Sequence, residues 1–411
     1  MIHIEEKKDC CGCEACVQIC PTHSIEMKMD EEGFLYPEID KERCVNCGLC
    51  LNVCPVKNNI QASRKPYATF AARNLDSKVR ESSSSGGVFT LFAEKIIDEG
   101  GIVFGARFND EWVVIHDCSD KKEDLSWFRG SKYVQSRIGK NFLKVKKLLE
   151  EGRKVLFTGS PCQVKALNLF LGENYENLIT VDFICHGVPS PGVFHRYLID
   201  FIYDKLQDMH NIKYRELKTN NNKNLFIKDF VKIQEIQFRK KQEKSTKYSF
   251  FIKLLIKDNE ESFHELKYVE SPEDNLFLRG FNRNLYLRPS CYYCPTKKLT
   301  SGSDITIGDF WNIQKVNSHA DTFKGVSAVI ASTERGDEFV HSCKNLYLEQ
   351  VDAGKAKGVL KGYIENRTPE QQHSELEKEQ YFEREYLSRG FEQMRKVYPA
   401  QTTLTRIIYA F

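Results

Sequence analysis

Apolar and polar positions change register several times along the chain. In EMKMDEEGFLYPEIDKER, residues 26–43, they alternate on either side of a glycine, the pattern of a small β-hairpin. VKNNIQASRKPY, residues 56–67, is polar with no apolar period, so it reads as a linker, with a new domain starting near Tyr67. Beyond it strand and helix patterns take turns. Val88, Leu91, Phe92 and Ile96 recur at helical spacing, Asp98-Glu99-Gly100-Gly101 ends that helix, and IVFGARF follows as a strand. KVLFTG is a buried strand; Pro161 and Cys162 occupy its turn, and a helix carrying Val164, Leu167 and Phe170 comes next. LITVDFICHGVPSPGVFHRYL repeats the plan with Cys185, His186 and Gly187 in the turn. Repeated strand–turn–helix units predict a largely parallel α/β core, whose functional groups gather at the carboxyl ends of the strands. WVVIHDC alternates as a strand and places His116 on its exposed side. Between Asn211 and Asn275 the chain is polar and lysine-rich; KIQEIQFRKK and YSFFIKLLIKD are strand-like and predict a β-hairpin insertion, a partner surface or a lid. Gln371 to Phe411 reads as an amphipathic helix.

Composition narrows the class. A chain of 411 residues is long enough for two or three domains. Lys and Arg total 60 against 57 Asp and Glu, so no basic surplus points to nucleic acid, and the lysine-rich insertion reads as a solvated face. The most apolar stretch, Gly86 to Phe108, is interrupted by Glu94, Lys95, Asp98 and Glu99, which excludes an integral membrane segment there. Charged residues stand where a signal peptide needs an apolar run, so the expected location is cytoplasmic. Nine of the 15 cysteines fall in the first 54 residues. Disulfide scaffolds belong to short secreted chains, so metal is the better reading.

The spacing identifies the metal. Cys10, Cys13, Cys16 and Cys20 precede Pro21 as C-x2-C-x2-C-x3-C-P, and Cys44, Cys47, Cys50 and Cys54 precede Pro55 in the same way. This tandem is the bacterial two-cluster ferredoxin pattern, in which three close cysteines wrap one 4Fe-4S cluster and the fourth crosses to the other. The expected sets are Cys10, Cys13, Cys16 and Cys54, and Cys44, Cys47, Cys50 and Cys20. Zinc sites favour isolated sets of four with a longer gap between pairs. Cys11 lies outside the pattern, as a bystander or a rescue ligand.

Four later cysteines form a third candidate. Cys162 and Cys185 sit at strand ends, and LRPSCYYCPTK supplies Cys291 and Cys294 as C-x2-C. They would make a third four-thiolate site; the alternatives are two small buried residues, or a zinc pair with partners elsewhere. Cys118 and Cys343 have no partners and read as packing residues. Cys185-His186 suits nucleophilic catalysis poorly, because neighbours in a turn seldom face each other and no third group orients them. Ser82 to Ser85 with Gly86 and Gly87 precede a helix, where free N–H groups and hydroxyls favour an anion; such serines also serve simply as caps.

Taken in order, the tandem cysteine signatures, SSSSGGVFT, FRGSKYVQS, FTGSPCQVKAL, DFICHGVPSP, LRPSCYYC and SDITIGDFW resemble the coenzyme F-420 hydrogenase/dehydrogenase beta-subunit family, in the form with an N-terminal ferredoxin domain. The resemblance covers roughly Cys10 to Cys343, and QFRKK in the insertion is similar to a further family motif. It implies an α+β ferredoxin-like two-cluster domain over residues 1–62. An α/β flavin-binding domain over 67–350 would follow, with a β-rich insertion at about 211–275 and a C-terminal helical tail over 351–411. It further implies FAD beside a third 4Fe-4S cluster at Cys162, Cys185, Cys291 and Cys294. FAD contacts would come from Ser84, Ser85, Gly86, Gly87, Ser131 and Lys132, near Gly130 and Tyr133, with Asp309 lining the pocket or capping a turn. No G-x-G-x-x-G is present, so FAD must bind without that fingerprint.

The implied function is a flavin- and iron–sulfur-dependent oxidoreductase, with no catalytic side chain named. It would pass electrons between ferredoxin-type clusters and a two-electron substrate at FAD, a deazaflavin or an organic metabolite. The partners would be a redox protein or ferredoxin and a small-molecule hydride donor or acceptor. The alternative is a non-catalytic electron-transfer subunit docked to a larger redox complex.

Overall fold

The computed structural model describes residues 1–58, 66–208, 231–242, 247–257, 262–282, 284–317, 322 and 324–364. The amphipathic helix expected over Gln371 to Phe411, the middle of the linker and the first part of the insertion lie outside the described residues.

The N-terminal unit holds helix α1 (Ala15–Ile19), the strands β1 (Ile25–Met29) and β2 (Leu35–Ile39), and helix α2 (Leu49–Asn52). The expected hairpin is there, paired antiparallel from Ile25↔Ile39 to Met29↔Leu35. Its turn closes because Asp30 accepts the N–H groups of Glu32 and Phe34 at 3.1 and 2.8 Å, while Gly33 takes φ +81°. A Cβ on Gly33 would lie 2.6 Å from the Gly192 backbone, so the two glycines let the hairpin touch the following domain main chain to main chain.

That domain is built on one eight-stranded sheet. Among its strands and helices, in chain order, are β3 (Ala68–Asn74), α3 (Ser77–Glu81), α4 (Val88–Asp98), β4 (Ile102–Phe108), β5 (Val114–Ser119), α5 (Leu125–Phe128), α6 (Asn141–Glu150), β6 (Val155–Gly159), α7 (Pro161–Leu171), β7 (Leu178–Phe183), α8 (Pro191–Asp208), β11 (Ile305–Asp309), β12 (Ser327–Ala331) and β13 (Leu346–Gln350). The spatial order is β13-β3-β12-β11-β7-β6-β4-β5. The repeated strand–turn–helix units produce a parallel centre, with β11, β7, β6 and β4 side by side. Both flanks are antiparallel. Val103, Phe104, Leu156, Phe157 and Ile305 fill the core, and Val88, Phe92 and Ile96 of α4 and Val164, Leu167 and Phe170 of α7 are buried against the sheet as their spacing predicts. Ser160 and Gln163 form a capping box at the start of α7, with Pro161 in its first turn.

The insertion is a three-stranded antiparallel sheet rather than a hairpin: β8 (Val231–Lys241), β9 (Tyr248–Lys257) and β10 (Phe263–Glu270). The third strand escaped the pattern because it is an edge whose residues are mostly exposed. The inner face is not a free surface. Phe238, Phe250, Ile252 and Leu254 pack with Phe194, Tyr197 and Phe201 of α8 and with Phe277 and Phe281. Among the described residues no helix is long and apolar enough to cross a membrane.

His116 departs from the expectation of an exposed strand residue. It is 4% exposed, its ring stacks on Phe157 and its Nε2 lies 3.0 Å from the Thr158 carbonyl. Alternation on β5 assigns a face without saying what covers it: His116 shares its side with the buried Val114, against Phe157, while Ile115 and Asp117 on the other side are half-buried. Burial pushes the imidazole down to about 4, against a slight opposing effect of the Thr158 bond. A depressed histidine binds fewer protons folded than unfolded, so stability falls as pH drops from about 6.5 towards 4. At pH 5 this should amount to about 2 kcal/mol. The expected result is that His116→Gln loses less stability than the parent chain between pH 7 and pH 5 in urea unfolding followed by circular dichroism.

Candidate metal centres

The two N-terminal cysteine loops share one backbone design. Gly12 and Glu14 in the first, and Asn46 and Gly48 at the equivalent positions of the second, all have positive φ, between 53° and 80°. Left-handed residues on either side of the middle cysteine turn successive N–H groups inward, a concavity that favours anions such as cluster sulfurs. The third cysteine of each loop then starts a short helix, α1 or α2, and the fourth follows it.

In the crossed set Cys10, Cys13, Cys16 and Cys54, every cysteine is buried. Burial, then the neighbouring Cys10 and Cys54 thiols, raise Cys16, and burial likewise raises Cys54. Thiols held this way lose their protons only to a positively charged partner, as metal ligation requires. The other set, Cys20, Cys44, Cys47 and Cys50, lines a small cavity with Thr22, Ser24 and Asn46. Its sulfurs already receive donors: Ile2 N–H to Cys50 at 3.2 Å, and Ser24 N–H to Cys20 at 3.4 Å. Burial opposes ionisation of Cys20, but the Ser24 and Thr22 hydroxyls outweigh it and bring the thiol to about 7. This set opens outward: Cys47 is exposed, flanked by Val45 at 65% and Leu49 at 39% exposure.

A partly open cavity at the carboxyl ends of β6 and β7 brings together Cys162, Cys185, Cys291 and Cys294. Cys162 lies in the first turn of α7, Cys185 just past β7, and Cys291 in the short helix Pro289–Tyr292. Polar groups reach this set as well: Val188 N–H donates to Cys291 at 3.4 Å, and the hydroxyls of Ser160 and Thr296 lie 3.2 Å from Cys162 and 3.3 Å from Cys294. Burial raises the Cys185 thiol to about 12 although Lys297 counteracts it. His186 also lines the cavity and rests edge-on against Phe281. Among the described residues no three Cys, His, Asp or Glu side chains converge as ligands of a single metal ion. Two of the three sets, that of Cys20, Cys44, Cys47 and Cys50 and that of Cys162, Cys185, Cys291 and Cys294, line cavities instead, an arrangement that fits clusters bound by four thiolates.

Cys11 is the residue the spacing gave no reason to place. It lines the cavity of the third set and packs in one apolar cluster with Cys13 and Cys162, so a single side chain lies between ligands of two sets. Lys165, on α7, is within electrostatic reach of Cys11, Cys54 and Cys294. Gln135 Nε2 donates to the Cys11 carbonyl at 3.0 Å, and the buried Arg288 donates to the Cys10 carbonyl at 2.6 Å. Gln18 Oε1 accepts the Phe142 and Leu143 N–H groups at 2.9 and 3.2 Å, capping α6 from the other domain. Glu14 accepts from Gly139 N–H at 3.0 Å and pairs with Arg137.

The residues expected at a flavin lie in one corner. Ser84 Oγ accepts both the N–H and the hydroxyl of Ser131, at 2.7 and 2.9 Å. Lys132 Nζ donates to the carbonyls of Trp127 and Arg129, and burial, then Arg129, bring it down to about 7. Ser85 Oγ donates to the Val326 carbonyl, and Gly87 is the N-cap of α4. Gly86 serves packing, since a Cβ there would lie 2.5 Å from the Ala72 carbonyl oxygen. Asp309 pairs with Arg239 of β8, and Lys241 of the same strand donates to the Ser85 carbonyl at 2.7 Å.

Residues 152–355 match the family model for the C-terminal part of the coenzyme F420 hydrogenase/dehydrogenase beta subunit, and residues 9–58 match that of a 4Fe-4S dicluster domain. No curated protein sequence matches the chain. A chain from a xenon-derivatised structure of the F420-reducing [NiFe] hydrogenase complex of Methanosarcina barkeri is similar at 17% identity, covering 78% of this chain and 94% of that one, with a TM-score of 0.40.

Gly12 combines φ +67° with a neighbourhood in which a Cβ would lie 2.5 Å from Gln135 Nε2 and 2.7 Å from Arg288. Gly12→Ala is therefore expected to destabilise the chain by about 1–3 kcal/mol and to lower iron retention on gel filtration relative to Gly48→Ala. At Gly48 the backbone is strained alike but the space is open.

Proposed function

This chain belongs to the coenzyme F420 hydrogenase/dehydrogenase beta-subunit family and carries a 4Fe-4S dicluster domain ahead of the family's C-terminal region; from that premise we propose that it is an oxidoreductase that moves electrons through three cysteine-held centres to a flavin site. The observation that supports the order is the position of Cys11, in the wall of the third cavity and in contact with Cys13 of the first set. When bound, 4Fe-4S clusters exchange single electrons and FAD exchanges one or two, which is the chemistry needed between a one-electron protein partner and a hydride donor or acceptor.

The residues divide the labour. Cys20, Cys44, Cys47 and Cys50 would hold the outer cluster, with Val45 and Leu49 presenting an apolar rim to a redox partner. Cys10, Cys13, Cys16 and Cys54 would hold the middle one, in a dry position between the domains. Cys162, Cys185, Cys291 and Cys294 would hold the inner one, its sulfurs oriented by Val188, Ser160 and Thr296. Ser84, Ser131 and Lys132 would bind FAD from one side and Gly87 would present the N-terminus of α4. Gly86 and Ser85 would shape that loop through Ala72 and Val326 rather than touch the cofactor. Gln18, Glu14 and Gln135 keep the two domains in register and exclude water from the junction. A deazaflavin or an organic metabolite is the expected two-electron substrate.

The exposed rim at Cys47 also suits the second reading, an electron-transfer subunit docked to a larger complex without a substrate of its own. Flavin content separates the two. Anaerobically purified protein is expected to hold about twelve irons and one FAD. Cys291→Ser is expected to bring iron to about eight per chain while the ferredoxin-type signals remain. Eight irons with no flavin in the parent chain would leave only the electron carrier.

A further inference from the structure

Arg288 is fully buried, at 0% exposure, yet belongs to none of the ligand sets. Its Nε donates to the Cys10 carbonyl at 2.6 Å and one Nη to the Gln135 Oε1 at 3.0 Å. The other Nη donates to the Leu35 carbonyl at 2.8 Å and to the Cys10 Sγ at 3.4 Å. The guanidinium lies over the rings of Tyr36 and Phe34, with centroids 4.3 and 5.3 Å away. These partners are neutral protein groups except for one sulfur. Among the described residues no carboxylate forms an ion pair with Arg288, and the nearby Glu14 pairs with Arg137. A buried cation with no anion is strongly unfavourable, so a fold that keeps one there has an anion for it. The group able to supply it is the Cys10 sulfur, as the thiolate it becomes when it ligates iron.

We propose that Arg288 is the fixed counter-charge of the middle cluster and raises its reduction potential above that of the outer one. This rests on the assignment of Cys10, Cys13, Cys16 and Cys54 as a cluster-binding set. In the outer set, among the described residues, the sulfurs receive backbone N–H groups and hydroxyls and no side-chain cation. Reduction brings one electron in from a one-electron donor protein by way of the outer set, with no bond made or broken. The negative charge gained is met by a cation already in place at low local dielectric, and hydrogen bonds and charges at the sulfurs are what set such potentials. Gln135, which bonds both Arg288 and the Cys11 carbonyl, positions the guanidinium at the junction.

The test is a potentiometric titration of the anaerobically purified full chain, followed by electron paramagnetic resonance, with iron counted in every sample. Arg288→Gln is expected to move the midpoint of the middle cluster to a more negative value by at least a tenfold change in the one-electron equilibrium, about 59 mV, to move that of the third set, whose Cys162 and Cys291 also lie within reach of the guanidinium, by less, and to leave the outer midpoint in place. Arg288→Lys keeps the charge and should recover at least half of that shift. Gln135→Glu, which sets an anion against the guanidinium without removing it, should move the same midpoint in the same direction and keeps the test decisive if Arg288→Gln does not fold. Full iron content with no midpoint moved by either Arg288→Gln or Gln135→Glu would overturn the role. So would equal shifts in Arg288→Gln and Arg288→Lys, which would make the effect one of shape rather than charge. Iron content and midpoints left unchanged by Cys10→Ala would instead overturn the cluster assignment and this inference with it, an outcome told apart from failure of the role because it does not involve Arg288 at all.

Discussion

The space that a side chain on Gly12 would occupy is filled by Gln135 and Arg288. That close approach is the constraint around which the molecule is arranged. It lets the first cysteine loop press its backbone against the larger domain, with Arg288 bonded to Cys10 and Gln135 to Cys11. Because the loop enters so far, Cys11 shares a cavity wall and an apolar cluster with Cys162, and a single side chain lies between the first and third cysteine sets. Solvent there would separate two sets that the fold instead brings together around the buried Cys11 and Cys13.

Holding two domains to that tolerance takes bonds with direction as well as apolar contact. Gln18 supplies the cap that α6 lacks from its own Lys140, so the helix end is completed only when the N-terminal unit is docked. Glu14 does the same for Gly139. On the far side, Gly33 and Gly192 bring main chains together, and the Ser190 hydroxyl donates to the Glu32 carbonyl. Each of these contacts satisfies a polar group that the interface would otherwise bury alone.

The inserted sheet has a related role. Its aromatic inner face joins the core around α8, which makes it a buttress. From the end of β8, Arg239 reaches Asp309 at the end of β11, and Lys241 bonds the carbonyls of Arg80, Ser85 and Lys324. One strand therefore pins the serine- and glycine-rich loop and the end of a central sheet strand together. The positive charges that looked like a solvated face from composition are, at these two positions, interior ties.

Much was legible in the chain because the relevant physics is local. The spacing of the cysteines and the left-handed residues Gly12, Glu14, Asn46 and Gly48 determine the two loops from adjacent residues alone. The hairpin followed from alternation, the helices α4 and α7 from their apolar period, and the parallel centre of the sheet from repeated strand–turn–helix units. The antiparallel flanks, the exposed edge strand β10 and the burial of His116 were not legible, since each depends on what covers a face and not on the order of residues within it. The junction lay furthest from reach. Arg288 is 278 residues from Cys10 along the chain, in a segment that reads from the sequence only as a C-x2-C. Local pattern encodes backbone shape. Which distant groups meet, and so which buried charge faces which sulfur, was decided by the order of strands in the sheet and the docking of one domain on the other.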